Sequence, residues 1–186
     1  MKSQSRSEVG LTAAPSGAAS FYARFISMIT IYTDGASRGN PGPGGWGAII
    51  LDDVRVIELG GSEEHTTNNR MELMAAIEAL KYAGTLGAES IELFTDSEYV
   101  MKGITQWVEG WQKRGWRTAS KKPVLNQDLW QHLILAADEK EIAWKYVAGH
   151  SGHDLNERCD EIATSFADDA YIKLYEGARS GYTLAG

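Results

Sequence analysis

Cysteine is nearly absent from this chain. Cys159 stands alone among 186 residues, so no intrachain disulfide can form, which fits a reducing compartment. Beside Asp160 it reads as a small buried helix residue rather than a nucleophile. No apolar run approaches the roughly 20 residues of a membrane span, so no membrane partner is expected. Zinc-type ligands are scarce too. His150 and His153, in Gly149-His150-Ser151-Gly152-His153, have no cysteine pair or further histidine beside them, which argues against a zinc site. A glycine-flanked histidine suits proton transfer near neutral pH; a solvated loop histidine is the alternative. No internal repeat occurs. The last absence is local. No acidic residue lies between Gly110 and Gln127, although the formal net charge of the chain is −7. Lys113, Arg114, Arg117, Lys121 and Lys122 gather there, with Trp107, Trp111 and Trp116 interleaved. Cations for phosphates and flat apolar rings for sugars and bases suit a nucleic-acid contact on an otherwise acidic body; a solvated basic loop beside core tryptophans, with Trp107 and Trp111 at i, i+4, is the alternative.

What is present suffices for one domain with a proper core: 186 residues, 43% hydrophobic. Residues 1–27 are Ser- and Ala-rich, with Lys2, Arg6 and Arg24 against only Glu8. Leu11–Ser20 is broken by Pro15 and Gly17, so no secretory core forms. The segment reads as a disordered extension, with a targeting role or an alternative start at Met28 left open. Residues 28–175 read as the domain, and 176–186 as a flexible tail.

Met28–Thr33, Trp46–Leu51 and Val54–Gly60 read as an antiparallel meander, with Gly39–Gly45 as a hairpin loop. Gly42–Gly47 matches the dinucleotide pattern of spaced glycines, but it precedes a strand rather than a helix, and Pro43 lacks a donor. Asn68–Ala83 is a helix with the apolar stripe Leu73, Ile77 and Leu80, ended by Gly84 or Gly87. Ile91–Thr95 is a fourth strand, expected parallel to the first because a helix intervenes. Short helices follow over Ser97–Lys102 and Ile104–Lys113, then a helix over Gln127–Ala137. Ile142–Val147 is a fifth strand, and a long helix closes the chain from Asn156 to about Tyr175. The class is α/β.

Four carboxylates sit in strings suited to placing an acid. Asp34 and Asp96 each follow a β-rich run, and Glu72 and Asp160 sit near helix starts. Strand ends aim side chains at one point. Converging carboxylates repel unless hard cations neutralise them, and oxygen ligands imply Mg²⁺ or Mn²⁺. Such a set suits two-metal phosphodiester chemistry. Taken singly, each acid reads more readily as a turn residue or a helix-dipole partner than as a ligand.

The surrounding strings carry a resemblance. Thr33-Asp34-Gly35-Ala36-Ser37-Arg38-Gly39-Asn40-Pro41-Gly42-Pro43-Gly44-Gly45-Trp46-Gly47 is similar to the opening hairpin of bacterial type 1 ribonuclease H. Thr66-Thr67-Asn68-Asn69-Arg70-Met71-Glu72-Leu73, Thr95-Asp96-Ser97, Gly149-His150-Ser151-Gly152-His153 and Asn156-Glu157-Arg158-Cys159-Asp160-Glu161 follow in the family's order. The resemblance spans about Met28 to Ala170.

It implies a ribonuclease H-like five-stranded mixed sheet, order 3-2-1-4-5, flanked by helices. It implies cleavage of the RNA strand of RNA–DNA hybrids with two Mg²⁺ ions, Mn²⁺ substituting, by a cytoplasmic monomer. Asp34, Glu72, Asp96 and Asp160 would hold the metals, His150 would shuttle protons, and Glu157 would assist product release. Asn68 and Asn69 would contact the hybrid, including RNA 2′-hydroxyls, since asparagine both donates and accepts; Ser37 and Asn40 would add contacts from the first loop. Thr67 and Asn126 match a DNA-phosphate pocket. Trp107, Trp111, Lys113, Arg114, Trp116, Lys121 and Lys122 match a basic protrusion that grips DNA. Glu98 stands at a substrate-contact position where the family often carries glutamine. Gln112 and Leu125 stand where lysine is common, which lowers the expected hybrid affinity. A non-catalytic hybrid binder and a DNA strand-transfer enzyme share this class of fold. The intact acids argue against the first, the Asn68-Asn69 pair and the basic segment against the second.

Overall fold

The structure is a computed structural model that describes residues 28–149 and 152–184. The expected N-terminal extension and His150 therefore lie outside the described residues. The elements are β1 (Ile29–Ser37), β2 (Gly42–Leu51), β3 (Arg55–Thr66), α1 (Asn68–Thr85), β4 (Ser90–Thr95), α2 (Glu98–Lys102), a π-helical turn (Gly103–Trp107), α3 (Val108–Lys113), α4 (Gln127–Ala137), β5 (Glu141–Tyr146), α5 (Asp154–Ala167) and β6 (Glu176–Ala178). A 3₁₀ turn, Arg179–Gly181, follows.

One sheet runs β5-β4-β1-β2-β3-β6. β1, β2, β3 and β6 pair antiparallel; β4 lies parallel to β1, and β5 parallel to β4. The five-strand order is the one expected, with β6 added beside β3. Both faces of the sheet are covered, and β2 shows how. Ala48 and Ile50 enter the core under α1, while Ile49 and Leu51 enter the core under α5 with Cys159 and Ile162. Strand side chains alternate between faces, so a run buried on both sides reads as continuously apolar. Leu73, Ile77 and Leu80 of α1 are buried as expected. Cys159 is fully buried, and burial pushes its thiol well up.

Four expectations need correction. β1 runs on through Asp34 to Ser37, and β2 begins at Gly42, so the hairpin loop is shorter than Gly39–Gly45. Those glycines serve packing as well as turning. A Cβ on Gly45 would meet the Ala163 carbonyl oxygen at 2.3 Å, and one on Gly47 the Cys159 carbonyl oxygen at 2.4 Å. Only bare backbone lets α5 lie this close to β2. The two short helices after Ser97 are joined by the π-helical turn rather than separated. The closing helix stops at Ala167, where Asp169 takes φ +55° and the Ala170 N–H donates to the Ser165 carbonyl. Finally, Glu176–Ala178, placed in the flexible tail, pairs with Arg55–Ile57 of β3.

Candidate active site

The register of β1 and β4 brings the first two acids together. Thr33 pairs with Thr95. Asp34 and Asp96 come next, where β4 ends and β1 continues. Glu72 arrives from α1, whose start is set by Thr67. Its side chain accepts from the Arg70 N–H, so Thr67 is the N-cap, and Asn68 and Asn69 begin the helix. α1 meets β1 without a spacer. A Cβ on Gly35 would lie 2.2 Å from the Glu72 backbone nitrogen. Asp34, Glu72 and Asp96 each offer a carboxylate oxygen, all within 4.8 Å of one another.

Little opposes this charge. Asp34 is 6% exposed. Burial pushes its carboxyl up to about 8, and the charges of Asp96 and Asp160 add to the rise; the Gly35 N–H, 2.7 Å from Oδ1, only partly offsets them. Glu72 is pushed well up by burial, then by Asp34 and Asp96. Its Oε1 accepts from Asn68 Nδ2 at 3.3 Å, whereas its buried Oε2 has no hydrogen-bond partner. Among the described residues, no ion pair involves any of the four acids. A buried carboxylate oxygen without a donor, in an all-oxygen set, fits a hard cation.

Asp160 lies outside the compact trio but close enough to act on Asp34. Its Oδ1 accepts from Thr164 Oγ1 at 3.3 Å, within its own helix. Asn156, one turn earlier on α5, is buried and donates to Asp96 Oδ2 at 3.2 Å. The motif around Asp160 includes Asn156 without assigning it a task. A signal exists in the chain all the same: a polar residue on the apolar side of α5, four before the acid. Glu157 accepts from the Gly152 N–H at 3.1 Å.

The remaining candidates form two groups. Asn68 touches the acids, Asn69 and Asn40 are exposed, and Ser37 donates to the Gly39 carbonyl. Asn126 donates to the Tyr99 hydroxyl at 3.2 Å and lies 3.5 Å from the Arg70 guanidinium, one turn from Thr67. Arg70 and Tyr99, not anticipated, thus connect the two expected phosphate-pocket residues. The basic segment is ordered by its own contacts. Arg114 Nε donates to the Arg117 carbonyl, Arg117 to the Lys121 carbonyl, and Val124 N–H to the Trp116 carbonyl. Lys113 pairs with Glu109, and Glu98 with Lys102. Trp111 and Trp116 pack on the core, and Trp107 and Trp111 are in ring contact at 5.7 Å. All three tryptophans are half-buried, so only part of each ring is open to a ligand. Leu125 is 80% exposed.

Known proteins resemble this chain in sequence and fold. A ribonuclease H of Thermosynechococcus vestitus is 61% identical over 146 residues, covering 77% of this chain and 91% of its own. Among solved structures, LC9-RNase H1, described as a type 1 RNase H with the type 2 active-site motif, is 31% identical with a TM-score of 0.71, covering 86% of this chain and 78% of its own. LC11-RNase H1, solved in complex with an RNA/DNA hybrid, is 25% identical with a TM-score of 0.58, covering 76% and 98%. A model of the RNase H family matches residues 27–168, a span that holds β1 to β5 and both helices bearing acids, and the chain belongs to the ribonuclease H family.

Proposed function

We propose that this protein hydrolyses the RNA strand of RNA–DNA hybrids endonucleolytically, leaving 5′-phosphate and 3′-hydroxyl ends. The observation that carries the reading is the buried trio Asp34, Glu72 and Asp96 with an orphaned Glu72 oxygen, on the fold of a metal-dependent nuclease family. Two Mg²⁺ ions would occupy the site, with Mn²⁺ as a substitute. Asp34 and Asp160 would hold one, and Asp34, Glu72 and Asp96 the other. Bound there, such ions activate water and stabilise the leaving 3′-oxygen.

The other residues bind, orient and move protons. Asn156 holds Asp96 by one oxygen, leaving the other free to act as a ligand. Asn68 reaches from Glu72 toward the RNA strand, where Asn69, Asn40 and Ser37 can test for 2′-hydroxyls. Thr67 and Asn126, supported by Arg70, receive a phosphate of the DNA strand. Glu98, its charge offset by Lys102, is a further substrate contact. His150 serves proton transfer at the leaving group. Glu157, tied to Gly152, assists product release. A cytoplasmic location and a monomeric state, expected from the sequence, complete the reading; no helix among the described residues is long and apolar enough to cross a membrane.

The direct test is incubation with Mg²⁺ and separately labelled hybrid, RNA duplex and DNA duplex. Cleavage of the RNA strand of the hybrid alone is the expected result. Cleavage of DNA duplex, or no cleavage of any, would defeat the proposal.

The basic segment has its own test. Arg114 and Arg117 hold backbone carbonyls that order the segment, whereas Lys113 makes an exposed pair with Glu109, so the lysines are the probes that disturb the segment least. Lys113→Gln, Lys121→Gln and Lys122→Gln combined should raise KM for hybrid and leave kcat nearly unchanged, because phosphate contacts hold ground and transition states alike. The slope of log affinity against log salt should fall by about one for each phosphate that is no longer neutralised. An unchanged slope would place the DNA-binding surface elsewhere.

A further inference from the structure

Away from the metal site, one buried charge network is unusually complete. Glu58 on β3 is 4% exposed. Its Oε1 accepts from Arg158 Nε at 2.8 Å and from the Tyr182 hydroxyl at 2.8 Å. Its Oε2 accepts from Arg158 Nη2 and from the Tyr175 N–H, both at 2.9 Å. Arg158 also reaches the Lys173 carbonyl and Glu161. Tyr175 and Tyr182 pack ring to ring at 5.0 Å, and the Glu58 N–H donates to the Tyr175 carbonyl. Burial alone would raise the Glu58 carboxyl, yet the donors and the Arg158 charge hold it below its ordinary range. Half of its four side-chain hydrogen bonds come from the chain beyond α5.

Arg158 sits on α5 between Asn156, which holds Asp96, and Asp160. Asp160 bonds only within its own helix among the described residues, so its place over the sheet is that of α5. We propose that the segment Lys173–Tyr182 is a positioning device for Asp160, completing the Glu58 carboxylate shell that docks Arg158, and with it the first turns of α5, on β3. The inference rests on the metal-site reading above. A buried ion pair is held only while its remaining lone pairs are satisfied. Losing the C-terminal donors leaves Glu58 under-satisfied and lets α5 shift where the metal ligand stands.

The test uses the full chain with Tyr182→Phe and Glu58→Gln. Phenylalanine keeps the ring contact and removes only the hydroxyl. Mn²⁺ is titrated calorimetrically without hybrid, and amide exchange is followed over residues 156–160. Glu58→Gln should weaken Mn²⁺ binding by about tenfold, the low end for outer partners of metal ligands, and Tyr182→Phe by less. Amide protection should drop in both, with KM for hybrid changed by less than about twofold. If Glu58→Gln does not fold, Tyr182→Phe decides alone. Melting temperatures that fall while Mn²⁺ affinity and α5 protection stay at wild-type values would overturn the proposal. Failure of the wild type to cleave hybrid would instead sink the metal-site reading.

Discussion

Asp34→Asn is expected to abolish most hybrid cleavage and to stabilise the metal-free protein. The activity loss should exceed about 10³-fold, beyond the cost of removing one preorganised electrostatic group, because Asp34 faces every other acid of the site. The fold should tolerate the change. An asparagine oxygen can still accept the Gly35 N–H that Asp34 accepts at 2.7 Å. The stability gain depends on pH. The folded Asp34 carboxyl titrates at about 8 against an ordinary value of 3.8. Between these values the folded state holds a proton that the unfolded chain has released, so wild-type stability without metal falls as pH rises. The variant does not titrate at this position. Its melting temperature should therefore exceed that of wild type most at pH 8 and least near pH 4. Saturating Mg²⁺ should reverse the order, since a ligand stabilises the state that binds it and the variant binds it worse. Melting scans at several pH values, with and without Mg²⁺, check each part. A variant that cleaves hybrid at near wild-type rate would refute the role given to Asp34.

Gly35→Ala should damage stability and activity together, although the added group is one methyl. Its Cβ would lie 2.2 Å from the Glu72 nitrogen and 2.5 Å from the Met71 carbonyl carbon. Both are backbone atoms of the first turns of α1, so no side-chain rotation relieves the clash. The helix start must move off β1, carrying Glu72 from Asp34 and Asp96. Overpacking of this kind costs about 1–3 kcal/mol, and the strand–helix approach here is backbone to backbone, so the upper end is expected. A misplaced ligand should lower kcat by about 10²-fold. Denaturant unfolding and steady-state kinetics with Mg²⁺ measure the two effects. Wild-type kcat in a folded variant would show that α1 can shift without moving Glu72.

The residues proposed to carry the chemistry stand out in the sequence once their neighbours are read with them. Asp34, Glu72, Asp96 and Asp160 each stand in a short string whose neighbours are equally distinctive. The strands and α1 are legible because apolar periodicity is a local property, as with Leu73, Ile77 and Leu80. The strand order follows from resemblance, since no local pattern states which strands adjoin. Other features emerge only when the chain packs. Gly42–Gly45 reads as loop from composition, yet it is strand, because the value of a missing Cβ at Gly45 depends on α5, more than 110 residues away in the chain. Thr67 caps α1 through its side chain, a matter of one residue's backbone angle. Whether Trp111 packs inward or meets a ligand is open in the sequence; in the fold both Trp111 and Trp116 pack against the core. Asn156, Arg158 and Glu58 acquire their meaning from partners 60 to 124 residues distant. A motif marks the candidate residues. Where they stand is set by long-range packing, which leaves no periodic trace in the sequence.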